Sequence, residues 1–135
     1  MILLALDASP YTGTVAVVRN GVVVASAETA MRGEREERLM PAVAATMAAA
    51  EVTPSELGLV VCGAGPGSFT SLRIAASIAK GIAFAQEVPL HAASSLALMV
   101  AGAEPALAEG RYLAVLDALR GEAYVPLVVT RMSWN

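Results

Sequence analysis

At 135 residues, 56% hydrophobic and 16% charged, the chain can bury a sizeable core and is not a disordered segment. A net charge of −3 leaves no basic excess to neutralise phosphates, which excludes nucleic-acid binding by this chain alone. One Cys excludes an internal disulfide, and one Cys with one His cannot build a zinc site, so no metal is expected. Much of the apolar content is Ala, 28 residues, with aromatics at only 4%. Such small side chains bury little area each, so some apolar helix surface is expected to serve another subunit. The opening run Met1–Leu6 stops at Asp7, without a basic leader or the length of a signal peptide or membrane span. The expected location is the cytoplasm, with no membrane contact.

In chain order, Ile2 to Leu6 has the length of a buried strand and ends at Asp7. Turn chemistry from Pro10 to Gly13 leads into a β-branched run, Thr14 to Val18. Asn20-Gly21 predicts a tight hairpin into Val22–Ala27, because both positions tolerate positive φ. Three antiparallel strands therefore open the chain. Arg32 to Arg38 is a neutral charge cluster, either a solvated helix entrance or a partner contact. Leu39, Val43, Met47 and Ala50 at helical spacing predict a helix over Glu36–Ala50, with Pro41 early enough for a first turn. Leu57 to Cys62 reads as a buried strand. A helix over Phe69–Ala85, a short strand near Val88–His91 and a helix capped by Ser94-Ser95 follow. Residues 103–110 read as a linker, dividing a first lobe, 1–104, from the opening of a second, 105–135.

Leu113-Ala114-Val115-Leu116-Asp117-Ala118 repeats Leu3-Leu4-Ala5-Leu6-Asp7-Ala8, each followed by a turn and a β-rich run. Strand, Asp, turn, strand, twice over, is the layout of duplicated folds of the actin and Hsp70 type. The fold class is thus α/β, an actin/Hsp70-like lobe of the ribonuclease-H kind with the start of a second.

Between the Leu57–Cys62 strand and the next helix lies Gly63-Ala64-Gly65-Pro66-Gly67-Ser68. It lacks the Gly-Lys-Ser/Thr of a phosphate loop, and Ser68 stands where a G-x-G-x-x-G motif has its last glycine. Two readings remain, a tight structural turn and an anion site at a helix N-terminus. In the helix, Ile74, Ile78 and Ile82 predict a core stripe. Ala75, Ala79 and Ala83 form a small-residue stripe, and Arg73, Ser77 and Lys80 a narrow polar one. Little of that surface is left for water, so the helix is either central to its lobe or packed on a second protein.

Gly65-Pro66-Gly67-Ser68-Phe69-Thr70-Ser71-Leu72-Arg73-Ile74 resembles the G-P-G-S-F-T-G-[LV]-R-I signature of the TsaB (YeaZ) family. Leu6-Asp7-Ala8-Ser9, Leu39-Met40-Pro41 and Asp117-Ala118-Leu119-Arg120-Gly121-Glu122-Ala123-Tyr124 resemble its other motifs in order and spacing. The chain departs from the pattern at Ser71, Ala8 and Arg35, where Gly, Thr and His are usual, and it ends short of full-length members. The resemblance implies a two-lobed, actin-like protein without catalysis of its own or cofactor of its own. Such a protein pairs with a paralogue, TsaD, which carries a metal and transfers a threonylcarbamoyl group to a tRNA adenosine. An ATPase, TsaE, joins them, so ATP and a metal belong to the partner subunits, and tRNA is met only through the complex. The resemblance places the contact on the two first-lobe helices, and the same surface is expected to form homodimers. The candidate interface residues are Arg35, Arg38, Leu39, Arg73, Ser77 and Lys80.

Asp7, with Gly65, Gly67 and Ser68, is the candidate anion or nucleotide site. Asp7 reads either as a strand-end structural residue or as the metal-phosphate Asp of actin-like ATPases. Cys62 reads as a small core residue, and Ser94 as a helix cap. With a single His, a catalytic triad has little to draw on. The alternative to a partner subunit is a stand-alone nucleotide-binding or hydrolytic protein of the actin-like class.

Overall fold

The computed structural model describes residues 1–31 and 36–130. Strand β1, Ile2–Asp7, pairs antiparallel with β2, Thr12–Arg19, which pairs antiparallel with β3, Val22–Ala30. The β2–β3 connection is the expected two-residue turn, with positive φ at both Asn20 (51°) and Gly21 (80°). Strands β4, Leu59–Gly63, and β5, Leu90–Ala93, then add in parallel on the other side of β1, completing a mixed sheet of order β3-β2-β1-β4-β5.

Helix α1, Leu39–Ala49, starts three residues later than the expected Glu36, at the first residue of its apolar periodicity. The Glu37 carboxylate accepts from the amides of Leu39 and Met40, so the chain caps the helix there. Helix α2 spans Phe69–Gln86, with Ser68 accepting from the Ser71 amide at its start and Glu87 in the left-handed conformation at its end. Val88 is not in a strand as expected. Its amide closes α2 on the Ala83 carbonyl, which delays β5 to Leu90.

Both helices lie on one face of the sheet, over a core formed by Leu4 and Leu6 of β1, Val15 and Val17 of β2 and Val60 and Cys62 of β4. From α1 come Leu39, Val43 and Met47; from α2 come Ala75, Ala79 and Ala83. Burying a Leu4- or Val17-sized side chain is worth about 1.5–3 kcal/mol. The core stripe of α2 is therefore the alanines, with Ser71, and not the isoleucines. Leucine and valine side chains already fill the sheet surface, so only small residues let α2 approach it. Ile74, Ile78 and Ile82, one residue round the helix, pack half-buried against the margin of this core.

Helix α3, Ser95–Ala101, is capped by Ser94, whose hydroxyl accepts from the Ala97 amide. Its buried side chains, Leu96 and Val100, pack with Ala114, Tyr112, Leu116 and Val128 rather than with the main core. Beyond α3 come β6, Gly110–Leu113, and β7, Leu116–Leu119. Strands β8, Glu122–Tyr124, and β9, Leu127–Thr130, follow. Strand β6 pairs with β9 and β7 with β8, so the single strand expected at 112–116 is split in two. Pro126 divides the β-rich run after it, because it has no N–H for a ladder. Asp117 consequently lies within β7, paired with Ala123, and not at a strand end like Asp7. The second hairpin repeats the first turn, with positive φ at Arg120 and Gly121.

Candidate functional site: a helix face and the turn that mounts it

Two of the residues expected at a partner surface share one exposed stripe of α2 with a third. Arg73, Ser77 and Lys80 all face outward. Arg73 and Ser77 line a hollow of about 390 Å³ with Glu37, Thr70, Ile74 and Ile78. The Arg73 guanidinium lies over the Phe69 ring, 5.3 Å from its centroid. Arg38 is exposed at the N-cap of α1, and its carbonyl accepts from the Ala42 amide. Leu39 does not belong on this surface. It is 0% exposed, under β2 beside Gly13, so it supports the helix from below. Arg35 lies outside the described residues.

Sequence reasoning missed the apolar members of this face. Phe69 is 73% exposed and Phe84 88%, the latter beside Lys80 and Glu87. On α1, Met40, Pro41, Ala44, Ala45, Ala48 and Ala49 all face outward, so its solvent side carries no charge. The available signal was arithmetic: Phe69 and Phe84 fall on the same helical sector as Arg73 and Lys80.

Asp7, Gly65, Gly67 and Ser68 do come together, around Ser9 and Ser95. The Asp7 carboxylate accepts from the Ser9 amide at 2.9 Å, the Ser9 hydroxyl at 3.3 Å and the Ser95 hydroxyl at 3.1 Å. Ser95 also accepts from the Gly65 amide at 2.9 Å, and its own amide donates to the Gly65 carbonyl at 3.0 Å. Gly65 has a φ of +86°, a conformation that favours glycine. The Ser68 amide donates to the Ser9 carbonyl at 3.0 Å, and a Cβ on Gly67 would fall 2.1 Å from that same oxygen.

Two amides that an anion at this turn would use, those of Gly65 and Ser68, thus already donate within the chain, and the nearest charge is the Asp7 carboxylate. Burial, with that charge adding to it, pushes the Cys62 thiol above its ordinary value. The role of Ser95 was also missed, because nothing in a serine after a cap shows that it reaches a strand end 88 residues away. A hollow of about 180 Å³ is lined by Ser9, Tyr11, Gly67 and Ser68 and by Leu116, Asp117 and Tyr124. Among the described residues, no group of three or more His, Cys, Asp or Glu could hold a metal, and no helix is long and apolar enough to cross a membrane.

Three antiparallel strands and two parallel ones, with two helices over one face, define an actin-like lobe. The chain belongs to the family described as TsaD, tRNA N6-adenosine threonylcarbamoyltransferase, whose model matches residues 26–130. Its resemblance to TsaB extends over nearly the whole chain. The tRNA threonylcarbamoyladenosine biosynthesis protein TsaB of Bacillus subtilis is 34% identical over 94% of this chain and 55% of its own length. The protein of that name from Escherichia coli is 35% identical over 92% and 53%. The solved structure of YeaZ from Pseudomonas aeruginosa superposes with a TM-score of 0.86 at 32% identity, covering 96% of this chain and 61% of that one. The chain spans about half the length of the curated relatives it matches.

Proposed function

We propose that this chain is a non-catalytic partner subunit in the synthesis of N6-threonylcarbamoyladenosine in tRNA, acting in the cytoplasm. It docks on a TsaD-type paralogue, with a TsaE-type ATPase joining them, and meets tRNA only through that complex. The observation that carries this reading is the uncharged outer face of α1 beside the exposed aromatics of α2. An uncharged helix face and two exposed rings are costly to leave in water and suit a helical partner. The relatives' shared name supplies the pathway. At the turn, the hydroxyls of Ser9 and Ser95 are both spent on Asp7, which fits a role in mounting α2 rather than in attacking a substrate.

Reconstitution tests this reading. The chain is mixed with TsaD-type and TsaE-type proteins, ATP and substrate tRNA, and modified adenosine is quantified. No product is expected from the chain alone, and product should fall at least to background when the chain is omitted. An undiminished rate without it sinks the proposal.

A further inference from the structure

Strands β6 to β9 share one register. From Gly110 opposite Thr130 inward to Asp117 opposite Ala123, each step along β6 and β7 is matched by a step back along β9 and β8. The Ala114 amide spans the break between them with a bond of 3.3 Å to the Pro126 carbonyl. The four strands are thus one long hairpin, closed at Arg120-Gly121, and its side chains alternate between two faces.

The two faces differ. Tyr112, Ala114, Leu116 and Val128 lie against Leu96 and Val100 of α3. On the other face Leu113 stands beside Leu127, and Val115 and Val125 follow one step along, with Val129 one step back. These five are 49% to 66% exposed, although a β ribbon with an apolar face needs a second layer over it. Charge marks the two ends of the strip. Arg111 stands opposite Val129 at one end and Asp117 opposite Ala123 at the other, both exposed and about 20 Å apart along the strand.

A strip with a cation at one end, a carboxylate at the other and apolar rows between is complementary to itself turned end for end. A twofold axis across the ribbon at the level of Ala114 and Pro126 would set Leu113 over Val115 of the mate and Leu127 over Val125. It would also set Arg111 over Asp117, and every such contact is made twice. Glu109, beyond Arg111, would meet the mate's turn, where Arg120 stands. An axis along the ribbon would instead gather both Arg111 side chains at one end and both Asp117 side chains at the other.

We infer that this hairpin face is a self-association surface, on which a second copy of the chain packs antiparallel as a second β layer. Leu113, Val115, Val125 and Leu127 form its centre, and the two Arg111–Asp117 pairs close its ends and fix the register. The surface is separate from the outer faces of α1 and α2 and does not rest on the function proposed above.

Sedimentation equilibrium on the full chain tests this, with urea midpoints showing that each variant folds. The wild type should exceed monomer mass, and Leu113→Asp and Leu127→Asp should each weaken association at least about tenfold. Arg111→Asp should weaken it on the order of tenfold, because it puts like charges together at both ends, and more at low than at high salt. Adding Asp117→Arg to Arg111→Asp should restore the wild-type affinity; where that pair of changes disturbs folding, the two leucine variants decide. A wild-type chain that stays monomeric overturns the inference. So does association that Leu113→Asp and Leu127→Asp leave unchanged, as pairing through the helices alone would, and so does a folded double swap that stays as weak as Arg111→Asp.

Discussion

Removing one oxygen at Ser95 should cost this fold more than removing a typical surface hydroxyl. Ser95 is 5% exposed, and its Oγ both accepts from the buried Gly65 amide and donates to Asp7. In Ser95→Ala the Gly65 amide has no acceptor, a cost of about 1–3 kcal/mol for a buried unsatisfied donor. Loss of the bond to Asp7 adds less, about 0.5–1 kcal/mol, because that carboxylate is half-exposed and keeps the Ser9 amide. The sum is about 1.5–4 kcal/mol, which for a chain of this size lowers Tm by about 5–14 °C. Urea titration and calorimetry of the wild type, Ser95→Ala, Asp7→Asn and the double variant should show both the loss and a coupling of about 1 kcal/mol between the two sites. A Ser95→Ala protein within about 0.5 kcal/mol of wild type would refute the bridging role, since surface substitutions reach only that far.

Gly67→Ala should destabilise the chain, because its Cβ would meet the Ser9 backbone, which cannot swing aside as a side chain could. A urea midpoint equal to wild type would contradict the close contact. Ala79→Leu, at a position that is 0% exposed between α2 and the sheet, should cost about 1–3 kcal/mol by overpacking, read from the same curve. Cys62 has its pKa raised on folding, so the folded chain holds a proton that the unfolded one releases. Stability should therefore fall as pH rises above about 9, and Cys62→Ala should flatten that alkaline limb relative to wild type. Titrating ATP with magnesium into the chain should give no tight binding and no phosphate release, since the Gly65 and Ser68 amides of the turn already donate within the chain and the Asp7 carboxylate lies beside them. Submicromolar binding with turnover would favour the nucleotide-hydrolysing alternative.

Local chemistry made much of the first lobe readable. Asn20-Gly21 can satisfy positive φ at two successive positions, and the β-branched runs flanking it have nowhere to go but a hairpin. The end of α2 was legible within a residue, because Val88 and Pro89 leave the helix. What periodicity could not rank was two apolar stripes on one helix. Isoleucine outweighs alanine in any hydrophobic measure, yet the space above Leu4, Leu6 and Val60 admits only alanine. The same limit applies at Leu39, whose motif places it near the surface helices while its side chain points into the core. Beyond α3, the reading carried one strand through 112–116, where a break at Ala114 and Val115 lets β6 and β7 take different partners. Pairing partners are chosen by tertiary packing and leave no local mark.

Helix α3 is fastened at two places to two different bodies. Its leading residue, Ser95, is bonded to Asp7 at the end of β1 and to Gly65 in the turn before α2, while its flank, Leu96 and Val100, is packed against Tyr112, Leu116 and Val128. Mechanically it is a strut with a pinned end. A displacement of that flank acts on Ser95 as a lever, and the short arm of that lever ends on Gly65, three residues before the cap of α2. Substituting Leu96 or Val100, far from the outer face of α2, thus loosens the joint on which that face is aligned.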